Sequence, residues 1–377
     1  MKVGIDCRDL RAGSLTGIGR FVRNLLRSLA DEDSPPTLYL YGNQHTVFPF
    51  PRELSSASPR TRRTKEAATW WWDRVSLPRQ ARHDRLDVFL SPYFKAPGIR
   101  SCPVVITIHD LLFLRMPPEL SGRSAVYSRA FRSFAASFAR RAAAVLTVSE
   151  HSRNDIVQLL DVPAKKVHVV GNCVEAEFHP ADGAAIEKAK RSYRLHEEYI
   201  LYVGSFSPHK NLDGLLQMYA GLSDGVRSKY QLVLAGRADK WTPKTRDKVK
   251  DLGLSDRVKI PGHIDENDLP AIYAGASAFA TLSRWEGFGL PVIEAMACGT
   301  PVLCSDRTSL PEVAGSAAAL VDPDDLPSCS KELERVLTDA SLRQELRPKG
   351  LERAKQFSPK RFATLVLDVL SSVIDAQ

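Results

Sequence analysis

The sequence predicts an α/β protein built from two doubly wound domains. Two series of short apolar runs, rich in β-branched residues, alternate with helical or polar stretches, as in mostly parallel sheets covered by helices on both faces. The chain of 377 residues also exceeds what one hydrophobic core usually organises. We therefore expect an N-terminal domain over 1–180, a C-terminal domain over 181–356 and a final helix over 357–377.

The first series begins with a buried strand over residues 2–7. After the polar loop that follows, Gly17-Ile18-Gly19 leads into apolar residues at helical spacing from Phe21 to Leu29, which indicates a strand, glycine loop and helix. Residues 49–63, where Pro, Ser and Arg are in excess, predict a surface loop. Further strands are expected at residues 38–41, 88–90, 104–108, 145–148 and 167–170.

The second series predicts the sheet of the C-terminal domain. Turn-forming residues at 178–183 indicate the linker between the domains. Near the end of the chain, apolar residues from Phe362 to Val373 recur three and four positions apart, so they form one helix face that must dock. The strands of this series are expected at residues 199–203, 231–235, 258–260, 278–282, 302–304 and 318–321.

Composition limits the classes of function. The chain is 44% hydrophobic and 25% charged, as in globular proteins. No apolar run has the length of a signal peptide or a membrane span, so we expect a cytoplasmic protein. The six cysteines lack C-x-x-C spacing, which favours reduced structural thiols.

The charge is concentrated in the N-terminal half. Residues 1–180 carry a net charge of +9 and the remainder −1. Such a field attracts nucleic acid, anionic lipid or a phosphorylated acceptor, and charge alone does not choose among them. Because no zinc-finger, RRM or KH signature is present, we expect no nucleic-acid partner.

The densest set of candidate site residues lies at 283–301, between a predicted strand and a helix. Gly287 and Gly289 leave backbone N–H groups of the turn accessible to an anion or a sugar hydroxyl. Glu286 lies in this turn and Glu294 about two helical turns later, and ionised carboxylates bind hydroxyl-rich ligands well. A capped helix with a solvated Glu294 would explain Glu286, but neither the two glycines nor a carboxylate within an apolar run.

Three other loops carry candidates. Lys210 follows a predicted strand at a predicted helix start near Asn211, where an ammonium suits a diphosphate. His109, with Asp110 beside it, follows the apolar run 104–108; Asp110 either orients the imidazole or caps the next turn. Gly17-Ile18-Gly19 resembles a dinucleotide fingerprint only in part, because Val22 stands at the third glycine position.

Residues 283–301 match the E-x7-E motif of retaining glycosyltransferases of family 4, and the resemblance covers nearly the whole chain. It implies the GT-B fold: two Rossmann-like domains, an interdomain cleft, and a C-terminal helix that crosses back to the first domain. The N-terminal domain would then bind the acceptor and the C-terminal domain the nucleotide-sugar donor. The family needs no metal, and Asp322-Pro323-Asp324, which appears far from the other motifs, is discounted as a metal site.

The same resemblance implies roles for the candidates. Glu286 would bind the donor sugar and Glu294 the nucleotide ribose, while Lys210 would bind the diphosphate and His109 the transferred sugar. Ser205 stands where many members have an arginine, so Arg284 and Arg237 are candidates for the second positive charge. The remaining donor-binding candidates are the glycine loop, with Gly17 and Gly19, and the turn formed by Gly287, Phe288, Gly289 and Leu290.

Resemblance to the branch of mannosyltransferases that extend bacterial polysaccharides implies GDP-mannose as donor, a saccharide or lipid-linked saccharide as acceptor, and retention by front-face attack. UDP-glucose, UDP-N-acetylglucosamine and UDP-galactose stay open as donors. Aromatic and basic residues at 70–72 and 127–138 predict core packing first, with peripheral contact to an anionic membrane as the alternative. A non-catalytic sugar- or nucleotide-binding protein is the alternative from another class.

Overall fold

The computed structural model describes residues 1–11, 16–48, 60–63, 69–116 and 125–376. Contacts divide them into two units: unit 1 comprises Met1–Cys173 and Ser358–Gln377, and unit 2 comprises Val174–Phe357. The change of unit after Cys173 comes earlier than the linker expected at 178–183.

Unit 1 contains a seven-stranded, wholly parallel sheet with strand order β3-β2-β1-β4-β5-β6-β7. Every residue of the three strands β4 to β6 is buried, which explains why the strands appear in the sequence as continuous apolar runs. The bounds are β1 Lys2–Asp6, β2 Thr37–Gly42, β3 Arg60–Arg63, β4 Val88–Ser91, β5 Val104–Thr107, β6 Ala144–Thr147 and β7 Val167–Val169.

Six helices of the described chain belong to unit 1 before the change of unit. Helix α1 begins after Thr16, whose hydroxyl accepts a hydrogen bond from the Gly19 amide at 3.0 Å. A π-helical turn, Trp72–Ser76, joins α2 to α3, and a 3₁₀ turn, Ala164–Lys166, precedes β7. The bounds are α1 Gly17–Ala30, α2 Thr69–Trp71, α3 Leu77–Asp84, α4 Leu112–Arg115, α5 Ala125–Arg141 and α6 Glu150–Leu160.

Unit 2 contains a six-stranded parallel sheet with strand order β10-β9-β8-β11-β12-β13. A 3₁₀ turn, Pro208–Lys210, precedes α8, and Asn211 between them is left-handed, with φ of 53°. The strands are β8 Tyr199–Val203, β9 Gln231–Ala235, β10 Val258–Gly262, β11 Ala278–Thr281, β12 Val302–Ser305 and β13 Ala319–Val321. The helices are α7 Gly183–Tyr193, α8 Leu212–Ala220, α9 Asp224–Lys229, α10 Thr242–Asp251, α11 Leu269–Ala274, α12 Leu290–Ala297, α13 Leu310–Ala314, α14 Leu326–Thr338 and α15 Ala340–Lys355.

The last helix, α16 Pro359–Asp375, belongs to unit 1 although it follows unit 2 in the chain. Its buried face includes Phe362, Val366 and Leu370. The ring of Phe362 meets the ring of Phe21 on α1 edge-on, with centroids 5.2 Å apart. The apolar stripe seen in the sequence therefore closes the core of unit 1.

Two sequence expectations for unit 1 are corrected. Residues 60–63 form the edge strand β3, whereas the sequence predicted a loop over 49–63; residues 49–59 lie outside the described chain. Phe134 was expected to pack in the core but is 63% exposed, because α5 faces the core through Ala135, Ala136 and Ala139 instead.

Two further findings concern the cysteines and the apolar character of the helices. All six cysteines are buried and free. Within the described ranges, no helix combines the length and apolar character needed to cross a bilayer.

Candidate active site

The two central strands of unit 2 define where a ligand is expected. Strand order runs outward from β8 on one side and from β11 on the other, so the topological switch point lies between these neighbours. In open parallel sheets, ligands bind beyond the carboxyl ends of the strands at such a point. The loop after β8 carries Lys210 and the loop after β11 carries Glu286.

Lys210 and Glu286 form an ion pair, with Lys210 Nζ 2.6 Å from Glu286 Oε1. Only 16% and 13% of the two side chains are exposed. Burial raises the pKa of Glu286, but the attraction and hydrogen bond of Lys210 outweigh it, so that the net pKa lies below the usual range. The carboxylate is therefore ionised at neutral pH and acts only as a hydrogen-bond acceptor.

Backbone contacts hold Glu286 in place. Its N–H donates to the hydroxyl of Thr308 at 3.0 Å, and Ser309 Oγ donates to its carbonyl at 3.0 Å. Thr308 adopts the left-handed region, with φ of 54°, which is costly for a β-branched residue. This strained turn after β12 thus positions the turn that carries Glu286.

The glycine turn leads into α12. Gly289 has φ of +103°, and a Cβ there would lie 2.6 Å from Leu310 Cδ2, so only glycine fits. Phe288 is buried, with its ring edge-on to Phe357 at 5.5 Å. The Gly289 and Leu290 amides lie at the N-terminal end of α12, where the helix dipole favours an anion.

Glu294 is fully buried on α12. Tyr273 on α11 donates its hydroxyl to Glu294 Oε2 at 2.8 Å. The solvated helix face considered as an alternative for Glu294 is therefore wrong. This carboxyl is held inside unit 2 by a specific donor.

His109 follows β5 in unit 1 and is half-buried. Its Nε2 lies 3.2 Å from the carbonyl oxygen of Pro92; a carbonyl only accepts, so Nε2 carries the proton and Nδ1 is left as an acceptor. Burial lowers the pKa of His109 to about 4. The imidazole is therefore neutral at pH 7, and Phe21 packs edge-on against it at 4.8 Å.

Two protein-family models match the chain, one in each half. Residues 15–178 match the model described as Glycosyltransferase Family 4, and residues 185–353 match the model of Glycosyl transferases group 1. The O-antigen chain mannosyltransferase B of Escherichia coli is 32% identical over 368 residues, which cover 94% of this chain and 95% of that protein. The chain belongs to glycosyltransferase family 4.

A second relative agrees with this assignment, and a solved structure shows the fold. The serotype-specific mannosyltransferase WbdA of Escherichia coli is 31% identical over 243 residues, which cover 63% of this glycosyltransferase and 29% of WbdA. The structure of Anabaena HepE in complex with UDP and glucose is 19% identical, with a TM-score of 0.78, and covers 99% of this chain and 100% of HepE. The glycosyltransferase therefore has the GT-B fold.

Three polar candidates of the glycosyltransferase lie around the Lys210 turn. Ser205 and Arg237 are exposed after β8 and β9, and these loops meet where the Phe206 amide donates to Asp239 at 3.0 Å. Arg284 donates its backbone N–H to the carbonyl of His209 at 2.8 Å. All three lie in loops at the carboxyl ends of neighbouring strands, namely β8, β9 and β11.

The guanidinium of Arg284 lies 2.6 Å from Asp324 Oδ1. The expectation that the Asp322 to Asp324 turn lies far from the other motifs is therefore wrong. The described residues include no cluster of three or more His, Cys, Asp or Glu side chains that would hold a metal.

The sequence pattern did not identify several residues that lie at the site. His209 is half-buried beside Lys210, where burial lowers its pKa to about 4. Thr308 and Ser309 follow β12, and the polar run after an apolar strand was the available signal. Tyr273 gave no such signal, because an aromatic residue on a helix usually indicates core packing.

The Gly17-Ile18-Gly19 segment of unit 1 forms the first turn of helix α1. Gly17 is the first residue of α1, and the Gly19 amide is engaged by Thr16. The donor-binding role expected for Gly17 and Gly19 stays a prediction. Residues 12–15 of the same loop lie outside the described chain.

Proposed function

We propose that this glycosyltransferase is a retaining mannosyltransferase that moves mannose from GDP-mannose to a saccharide or lipid-linked saccharide acceptor in bacterial polysaccharide biosynthesis. The likeness to the O-antigen chain mannosyltransferase, which extends over nearly the whole of both chains, carries this proposal. We place the reaction in the cytoplasm, with unit 1 in peripheral contact with the anionic inner face of the membrane. The positive charge of residues 1–180 supports that contact.

In this proposal Lys210 binds the donor diphosphate. One of its three N–H groups is engaged by Glu286, which leaves two that can donate to phosphate oxygens. The Gly289 and Leu290 amides add donors at the start of α12. As the bond to the leaving diphosphate breaks, these groups stabilise the developing negative charge, each by about 3 kcal/mol.

Glu286 and His109 orient the transferred mannose through its hydroxyls. The ionised carboxylate accepts O–H bonds, and the neutral imidazole accepts at Nδ1. With a pKa of about 4, His109 does not serve as a general acid at neutral pH, so its role is binding and orientation. Glu294, positioned by Tyr273, binds the ribose hydroxyls.

The proposed chemistry is a front-face displacement. The acceptor oxygen bonds to the anomeric carbon on the face from which the diphosphate leaves, and the acceptor proton passes to a diphosphate oxygen. The anomeric configuration is thereby retained. Lys210 supplies the cationic partner of the leaving group, and no resident metal or cofactor is required.

Calorimetric titration with GDP, UDP, ADP and NAD, each with EDTA present, tests the donor site. We expect GDP to bind with micromolar affinity and Glu294→Ala to abolish the binding. Preference for UDP would refute GDP-mannose as the donor. Binding of NAD alone, or of no nucleotide, would refute the proposed donor site itself.

A second measurement separates an enzyme from a non-catalytic binding protein. The His109→Ala variant should keep its GDP affinity and lose transfer of mannose by about 100-fold, because only orientation of the sugar is removed. Proton NMR of the product should show the α configuration of the donor. A β product would refute retention.

A further inference from the structure

A cavity of about 910 Å³ lies within unit 1, at the edge of the sheet opposite to His109. Pro103 and Val104 line it at the start of β5, and Ala143 lines it just before β6. His109 follows the carboxyl end of β5, roughly 15 Å further along at the usual rise per residue. The cavity is therefore separate from the edge where donors and acceptors of parallel sheets bind.

Three arginines give the cavity a positive charge. Arg74, Arg100 and Arg141 line it, and all three are exposed. Among the described residues that line it, none is Asp or Glu. The Arg141 guanidinium lies over the ring of Phe138 at 5.1 Å and donates Nε–H to the Ser137 carbonyl at 3.2 Å. A guanidinium that stacks on a ring and uses Nε–H still has four N–H groups that can donate to a ligand.

Two large aromatic side chains are exposed, one lining the cavity and one on the helix that lines it. Trp70 lines the cavity and is 64% exposed. Phe134 is 63% exposed and lies one helical turn before Phe138 on α5, hence on the same face. Exposed aromatic residues next to cations are typical of surfaces that enter the interface of a bilayer.

We propose that this cavity binds the phosphate headgroup of an anionic phospholipid in a membrane. The three arginines pair with the phosphate, while Trp70 and Phe134 enter the apolar boundary of the leaflet. This inference rests on the membrane contact proposed above and assigns it a site. The aromatic side chains favour a lipid headgroup over a free phosphate, which would leave them in water.

The test is sedimentation of the full chain with vesicles in about 0.15 M salt, where long-range attraction is screened beyond about 8 Å. Vesicles of phosphatidylglycerol and phosphatidylcholine are compared with vesicles of phosphatidylcholine alone. The variant Arg74→Gln/Arg100→Gln/Arg141→Gln should lower the partition coefficient on the anionic vesicles about 100-fold, because each arginine near the surface contributes roughly fivefold.

A variant of equal net charge serves as the matched control. Arg11, Arg82 and Lys165 are exposed residues of unit 1 that do not line the cavity. Their combined replacement by Gln should lower binding less than fivefold. Equal losses in the two triple variants would overturn the cavity as the site, although membrane contact would stand.

The remaining measurements distinguish a membrane lipid from a soluble phosphate as the ligand. Trp70→Ala/Phe134→Ala should lower vesicle binding about tenfold without a change in the melting temperature, because both side chains are exposed. No preference of the unmodified chain for anionic vesicles, or binding of inorganic phosphate in calorimetry without vesicle binding, would overturn the proposal. GDP titration of the arginine variant is expected to be unchanged, so a failure here is distinguishable from a failure of the donor site.

Discussion

Replacement of Lys210 by Met should destabilise unit 2, because it leaves the Glu286 carboxylate largely buried without its cation. Loss of one partner from a buried ion pair costs about 3–5 kcal/mol. The small residual exposure of the two side chains places the expected value near the lower limit, at about 3 kcal/mol. For a unit of this size, each kcal/mol lowers the melting temperature by about 2–4 °C, which gives a shift of about 6–12 °C.

Differential scanning calorimetry measures this shift. The double variant Lys210→Met/Glu286→Leu should regain most of the stability, since an apolar pair of similar volume often replaces a buried ion pair without loss. Lys355→Met is the matched control, because Lys355 pairs with Glu352 at 2.9 Å while 73% and 69% of the side chains are exposed. Exposed pairs contribute about 0–1 kcal/mol.

The pH dependence gives an independent check on the same pair. Because the pKa of Glu286 is lowered in the folded state, its stabilising contribution is present above the unfolded value of about 4.3 and is lost as the pH falls through the folded value. The difference between the unmodified chain and Lys210→Met should therefore shrink in acid. Equal shifts for Lys210→Met and Lys355→Met at pH 7 would refute the reasoning.

Three further predictions concern other parts of the site. Tyr273→Phe removes the hydrogen bond to Glu294 Oε2 and should weaken GDP binding in calorimetry by about tenfold, as expected for loss of one hydrogen bond to a charged group; unchanged affinity would contradict the positioning role. Gly289→Ala should cost about 1–3 kcal/mol in urea unfolding because of its backbone conformation, and unchanged stability would contradict that strain. His109 should titrate near pH 4 by NMR, and unfolding free energy should fall as the pH drops from about 6.5 to 4, because the unfolded state protonates first; His109→Gln should flatten that slope.

The buried strands were predictable from the sequence to within one or two residues, because a parallel strand covered on both faces must be apolar throughout. Strand β3 was not, since its sequence is Arg-Thr-Arg-Arg. It pairs with β2 at the edge of the sheet, where Arg60 lies over the Tyr39 ring at 5.4 Å and Arg62 pairs with buried Asp84 at 2.6 Å. Partners distant in sequence supply what the strand itself lacks.

The loops that carry the site were predictable, but the pairing of their side chains was not. Glycines and polar residues after apolar runs indicated the turns that hold Lys210 and Glu286. These residues lie 76 positions apart, and no local pattern predicts that one neutralises the other. Arg284 was a candidate for the second positive charge of the donor site. No local pattern predicts that its guanidinium pairs with Asp324.

The return of α16 to unit 1 has a consequence for the order of folding during synthesis. Residues 358–377 leave the ribosome after the whole of unit 2, yet Phe362 covers Phe21 in the core of unit 1. Unit 1 begins to be translated first but is completed after unit 2, because its hydrophobic core requires the segment 358–377. The continuous unit 2 has every segment it needs about 20 residues earlier, so nascent chains should acquire it first.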